Sequence, residues 1–352
     1  MLTPAAVGPS VELDQVTFRY EDAGEVTGVS ILQEVATPRT GPALQQLSSG
    51  EWEAVFERPP VDRFEYRFEV VRSAEWSEII LDPSNPLTAP GAFGDRSVIE
   101  FPEYRSPEWL DSDPPHGDVS EIDVPSALLG EVQPTIVWSA AGTEPETPLP
   151  LLVALDGAEF ASFSGLLRML DAEVAGGRLP PMRAALCHPT QRGEHYAASP
   201  EFAGYLAREL IPAVSELVSV APGQGSCVGL GASLGGLALL HAQRQEGTFG
   251  GLFCQSSSFL HHERALESEL LQRIELFMDG VLAASSWPDP IPVTMTCGTV
   301  EPNLENNREC AAALKSQGYA VALHVVRDAH NWVAWRDAWT PHLVDLLGKV
   351  WS

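Results

Sequence analysis

The sequence predicts an α/β protein in two parts: a mostly parallel sheet covered by helices, preceded by an N-terminal immunoglobulin-like β-sandwich. Three observations carry this expectation. Short alternating strands fill roughly the first hundred residues, strands alternate with helices from Val119 onward, and one serine sits among glycines between a strand and a helix. With 352 residues, of which 44% are hydrophobic and 20% charged, the chain has apolar material for two cores.

In the first part, segments 15–20, 26–32, 52–56, 64–71, 76–81 and 97–101 are rich in β-branched and aromatic residues. Along 64–70, Phe64, Tyr66, Phe68 and Val70 alternate with Glu65, Arg67 and Glu69, which directs apolar side chains to one face and charges to the other. Gly, Pro, Asp and Asn punctuate the gaps, and strands at this spacing predict a sandwich of immunoglobulin size over 1–105. Residues 106–118, rich in proline and acid, read as a linker. The second domain is then 119–352, with strands at 135–139, 149–155, 183–187, 227–230, 252–255, 293–297 and 320–326. Between them 161–173, 202–218, 234–245, 265–282 and 306–317 have helical periodicity, and such alternation predicts a sheet covered on both faces.

Composition narrows the function. The 48 acidic side chains outnumber the 21 basic ones, and a formal charge of -27 repels phosphate backbones and anionic bilayers. Neither nucleic acid nor membrane is an expected partner, and no oligomeric state is indicated. Residues 1–14 lack the basic start, apolar stretch and cleavage site of a secretory signal, and the five cysteines are scattered with no CxxC pair. The expectation is a reduced, cytoplasmic protein without disulfides, structural zinc or cofactor.

The chemistry centres on Gly231-Ala232-Ser233-Leu234-Gly235, which follows a buried strand and opens an apolar helix. This is the G-x-S-x-G elbow of an α/β-hydrolase-type domain, and glycines are required because the serine occupies a strained turn pressed against strand and helix. Ser233 is the candidate nucleophile. The Leu234 backbone N–H heads the helix as one oxyanion donor. A second donor should come from the loop after an earlier strand, where Gly157 or Ala158 in the Asp156-Gly157-Ala158-Glu159 turn is placed for it.

In this arrangement the acid and then the histidine follow the serine, each past a late strand. His330, just beyond 320–326, is the candidate base; His324 lies within the strand, His342 near the C-terminal tail, and the His261 and His262 pair opens a helix expected to cap the site. Glu301, leaving the strand 293–297, is the candidate acid. Asp328 ranks below it because it stands only two residues from His330, and Glu305 suits a helix N-terminus. A serine–histidine dyad is the remaining alternative.

Together Leu155-Asp156-Gly157, the 231–236 elbow, Gln255-Ser256-Ser257-Ser258-Phe259, Gly298-Thr299-Val300-Glu301 and Ala329-His330-Asn331-Trp332 resemble the enterochelin esterase family, within the esterase D and antigen-85-like group. The resemblance implies an N-terminal immunoglobulin-like domain before a hydrolase domain. It further implies cytoplasmic hydrolysis of the ester bonds of cyclic trilactone catecholate siderophores, usually iron-loaded, with Ser233 and His330 catalytic and Glu301 at the acid position. Where that family often shows Arg-x-x-Glu-Leu-x-x-Asn with Phe three residues on, this chain keeps Arg192 and Phe202 but has His195, Tyr196 and Ser199 in place of Glu, Leu and Asn. Arg192 and His195 are therefore candidate contacts to an anionic ester substrate, a ferric siderophore among them. The alternative substrates are carbohydrate-linked acyl or feruloyl groups, or carboxylic esters generally, with the β-sandwich as an accessory module.

Overall fold

The computed structural model describes residues 8–22, 26–48, 50–73, 76–261 and 268–352. The chain divides into two compact units. One gathers 1–105 with two later returns of the chain, Gly298–Glu301 and Arg327–Ala334; the other holds 106–297, 302–326 and 335–352.

The first unit contains two antiparallel sheets. One has the order Ser10–Val11, Gln15–Glu21, Glu51–Glu57, Gln45–Ser48. The other runs Thr40–Ala43, Gly28–Gln33, Arg63–Ser73, Arg96–Glu100, Thr88–Ala89, with Trp76–Ile80 paired to Arg63–Ser73. Phe18 of one sheet meets Phe64 and Tyr66 of the other edge-on, at ring separations of 5.8 and 4.9 Å. Interdigitation of this kind makes the pair a β-sandwich. Phe64, Tyr66, Phe68 and Val70 are fully buried, as the alternation predicts. The opposite face is less exposed than its charges imply, for Glu65 is buried and bonded to Arg63 at 3.1 Å. Both late returns are anchored in this unit. Ala329 and Val300 join its apolar core, and Arg327 Nε donates to Asp62 Oδ1 at 2.8 Å.

The second unit is built on an eight-stranded sheet: β1 (Asp118–Ser126), β2 (Glu131–Ser139), β3 (Leu151–Leu155), β4 (Arg183–Cys187), β5 (Cys227–Ala232), β6 (Gly251–Gln255), β7 (Pro292–Gly298) and β8 (Ala320–Val326). The spatial order is β1-β2-β4-β3-β5-β6-β7-β8. Pairing is antiparallel through β1, β2 and β4 and parallel from β4 through β3, β5, β6 and β7. This is the mostly parallel, α/β-hydrolase-type sheet that the elbow predicts. β3, β4, β5 and β6 are buried along their whole length, which explains their unbroken apolar sequences.

Four segments depart from expectation. The 106–118 stretch contains a short helical turn, Glu108–Asp111, whose buried Trp109 stacks on Trp339 at 6.4 Å, so it is packed structure and not a free linker. β1 follows where no strand is expected; as an edge strand it tolerates Pro125 and its row of acids. The helix expected over 161–173 is regular only from Leu166–Ala175, after a looser turn, Phe160–Ser164. Of the helix expected over 265–282 the described part is Glu269–Ala283; its first residues and His262 lie outside the described residues. No helix among the described residues is long and apolar enough to cross a membrane.

Candidate active site

Strand register brings three turns to one edge of the second unit's sheet. Ala154 pairs with Leu230 and Ala232 with Gln255, so the residues leaving β3, β5 and β6 emerge side by side at the strands' carboxyl ends, where open α/β sheets bind ligands.

Ser233 leaves β5 with φ 56° and ψ -122°, a sparsely populated conformation costing about 1–3 kcal/mol. Two backbone hydrogen bonds to the β6 loop maintain it: Ser233 N–H donates to the Gln255 carbonyl at 2.8 Å, and Ser258 N–H donates to the Ser233 carbonyl at 3.0 Å. A Cβ on Gly231 would lie 2.6 Å from the Gly235 carbonyl carbon, so strand and helix approach as closely as they do only because position 231 has no side chain. The helix Leu234–Glu246 starts directly after Ser233, whose hydroxyl makes no capping bond. That leaves the hydroxyl available for chemistry and puts Leu234 among the first N–H groups of the helix, which lack an intrahelical acceptor.

Beyond β3, Asp156 is left-handed (φ 55°) and heads the short helix Gly157–Glu159. The Asp156 N–H donates to the hydroxyl oxygen of Tyr196 at 3.1 Å. Arg192 Nε and Nη2 donate to Asp156 Oδ1 and Oδ2 at 2.8 and 2.7 Å, a bidentate pair. This turn lies against the elbow helix, since a Cβ on Gly235 would be 3.7 Å from Asp156 Oδ2. Gly157 and Ala158 thus stand at the expected edge.

The two residues assigned to substrate have other partners. Arg192 is engaged with buried Asp156, although 42% of its side chain is exposed. His195 is buried, with its ring stacked on Phe202 at 5.3 Å. Its Nε2 is 2.9 Å from Glu131 Oε1 but too poorly aligned for a hydrogen bond. Burial lowers its pKa, opposed by Glu131, and the ring is packed into the core. Its helix, Arg192–Tyr196, carries it inward, an orientation that a short loop-like sequence does not reveal.

Within the first unit His330 and Glu301 meet. His330 Nδ1 is 2.6 Å from Glu301 Oε2, and Glu301 Oε1 accepts the Gly298 N–H at 2.6 Å. The carboxylate is buried, whereas the imidazole is 31% exposed. Engagement of Nδ1 by the carboxylate favours the tautomer that carries its proton on that nitrogen. Asp328 turns elsewhere, its Oδ1 accepting from Ala329 N–H at 2.7 Å and Asn331 Nδ2 at 2.9 Å. Burial raises its pKa to about 7, opposed by Arg63. Glu305 is 67% exposed and paired with Arg308 in the first turn of the helix Leu304–Ser316, the role of a helix-dipole acid.

Ser258 is a residue for which the sequence assigns no role: its Oγ is 3.2 Å from Ser233 Oγ. The available signal was its place just past β6, on the same sheet edge as the elbow. Among the described residues no group of three or more His, Cys, Asp or Glu side chains could hold a metal ion. The five cysteines are buried, and none is in a disulfide among the described residues.

No family model matches the chain. It is similar to the iron(III) enterobactin esterase of Dickeya dadantii (strain 3937), 25% identical over 277 residues, or 72% of this chain. The match spans only 62% of that relative's length. It is also similar in structure to the enterobactin esterase from Shigella flexneri solved in the presence of enterobactin. There the TM-score is 0.80 with 21% identity, over 98% of this chain and 96% of the other. The chain has the enterochelin esterase fold. A ferulic acid esterase is a more distant neighbour of that fold, with TM-score 0.58, 17% identity and 67% of this chain covered.

Proposed function

We propose that this chain is a serine esterase that hydrolyses the ester bonds of a catecholate trilactone siderophore of the enterobactin type, releasing its iron. The observation that carries the reading is the likeness to an enterobactin esterase along 98% of the chain. Ser233, strained and uncapped at the elbow, supports the reaction type.

In this reading Ser233 Oγ attacks the ester carbonyl carbon while His330 Nε2 takes the hydroxyl proton. Glu301 holds the imidazole by Nδ1 and stabilises its charged form. The tetrahedral oxyanion is received by the Leu234 N–H and by that of Gly157 or Ala158. Collapse breaks the ester C–O bond, and the departing alkoxide takes the proton from His330. Water then attacks the acyl–Ser233 ester, giving its proton to His330. Expulsion of Ser233 Oγ, reprotonated from His330, yields the free acid. Iron belongs to the substrate and no resident metal takes part. Five buried cysteines outside any disulfide fit a reducing compartment, and we assign the reaction to the cytoplasm.

A feruloyl or carbohydrate esterase shares this chemistry, but the corresponding likeness reaches only two thirds of the chain. The test is a panel of apo and ferric trilactones, feruloyl esters and simple carboxylic esters, with products identified by mass spectrometry. Preferred cleavage of the trilactones supports the proposal; preferred cleavage of feruloyl esters overturns it.

A further inference from the structure

We propose that Ser258 is a positioning residue for the nucleophile, its hydroxyl donating a hydrogen bond to Ser233 Oγ. The inference rests on the reading of Ser233 as nucleophile and adds a residue to that site.

The β6 loop holds Ser258 in place by bonds that do not use its side chain. Strand β6 ends at Gln255, whose carboxamide donates to the Trp335 carbonyl at 2.9 Å and accepts from Trp339 Nε1 at 3.0 Å. Ser256 has φ 46°, its N–H donates to the Thr296 carbonyl at 2.7 Å, and its Oγ accepts from Trp335 Nε1 at 3.0 Å. Asn303 Nδ2 donates to the carbonyls of Ser256 and Ser257 at 2.8 and 3.2 Å, and Asn307 Nδ2 donates to that of Ser257 at 2.8 Å. Ser258 itself is tied by its N–H to the Ser233 carbonyl. Among the described residues of this unit, the one side-chain hydrogen bond of Ser258 runs to Ser233 Oγ.

So heavily anchored a loop fixes one hydroxyl beside the reacting oxygen. The 3.2 Å separation is long for an O–H···O bond, which is commonly about 2.7–2.8 Å, so it can shorten as Ser233 Oγ gains negative charge. With Ser258 as donor, its proton stays on Ser258 throughout. The proton of Ser233 is free to leave for the base, and an Oγ lone pair forms the bond to the carbonyl carbon. The contact is neutral in the resting enzyme and charge-assisted during attack, so it acts on kcat more than on KM.

The experiment measures the rate of fluorophosphonate labelling at Ser233, with kcat and KM for a small neutral ester, in the wild type, Ser258→Ala and Ser258→Thr. We expect Ser258→Ala to lower the labelling rate and kcat about tenfold, with KM within about twofold, and Ser258→Thr to retain near wild-type rates. Labelling of Ser258→Ala at the wild-type rate or faster overturns the proposal while leaving Ser233 as nucleophile. Equal slowing in both variants also overturns it, because shape and not the hydroxyl would then be responsible. Wild-type labelling at a residue other than Ser233 removes the nucleophile reading and this inference with it.

Discussion

The carboxylate of Glu301 lies 2.6 Å from Nδ1 of His330, and both residues belong to chain returns grouped with the N-terminal β-sandwich. Ala329 and Val300, their neighbours in sequence, are part of that sandwich's core. The sandwich therefore anchors the segments that carry Glu301 and His330.

This pairing makes Glu301→Gln the informative substitution. Removing the charge while keeping the shape should lower kcat by about two to four orders of magnitude, as loss of an orienting carboxylate does elsewhere. Asp328→Asn should change kcat by less than about tenfold, since Asp328 bonds to Ala329 and Asn331. Steady-state kinetics of both variants on one activated ester decide the point; the reverse ranking would make Asp328 the acid.

Asp328 has its own signature in stability. Burial raises its carboxyl from 3.8 to about 7, so the folded state holds a proton that the unfolded chain releases. The stabilisation this gives is complete below about pH 4 and is lost as pH rises through about 7, at up to about 1.4 kcal/mol per pH unit. Asp328→Asn removes that dependence. Denaturant midpoints should show the stability difference, variant minus wild type, growing from pH 4 to 7 and levelling above. A difference that stays constant with pH would mean Asp328 is ionised throughout.

Arg192 holds the turn that precedes Gly157 and Ala158 through a bidentate bond to Asp156. Arg192→Ala should therefore depress kcat/KM for neutral and anionic esters by the same factor, about ten- to a hundredfold for loss of a charge-assisted contact. Arg192→Lys should recover only part of it, because an ammonium cannot reproduce the fork. A loss confined to anionic esters would restore Arg192 as a substrate contact.

The elbow's close approach predicts that Gly231→Ala fails at two levels. Its Cβ would meet backbone atoms of Gly235 and Gly236 at 2.6 to 3.0 Å, and backbone cannot rotate away. Destabilisation of about 1–3 kcal/mol should accompany a loss of activity larger than the fraction unfolded explains. Thermal melts and kinetics on the same sample check this; a variant with wild-type activity would show that the elbow tolerates a wider spacing.

How much of this was legible in the sequence depends on how local each constraint is. The elbow is legible because strand, glycines, serine and helix are contiguous, and the position of Glu301 and His330 follows from counting late strands. β1 is not, for Glu121, Asp123 and Pro125 interrupt the apolar pattern of a strand, and only its place at the sheet edge makes that composition acceptable. The surroundings of His195 and Arg192 are hidden for a related reason: a short helix turns one into the core and the other onto Asp156, and neither direction is encoded in spacing. Ser258 needs the register between β5 and β6 before its nearness to Ser233 can be seen.

The central claim is most directly tested by incubating ferric enterobactin with the purified protein and with Ser233→Ala, and following the products by mass spectrometry. The account predicts that the wild type opens the trilactone and releases its catecholate-serine units, while Ser233→Ala leaves it intact. An untouched trilactone in the presence of active wild type, or equal cleavage by Ser233→Ala, would contradict it.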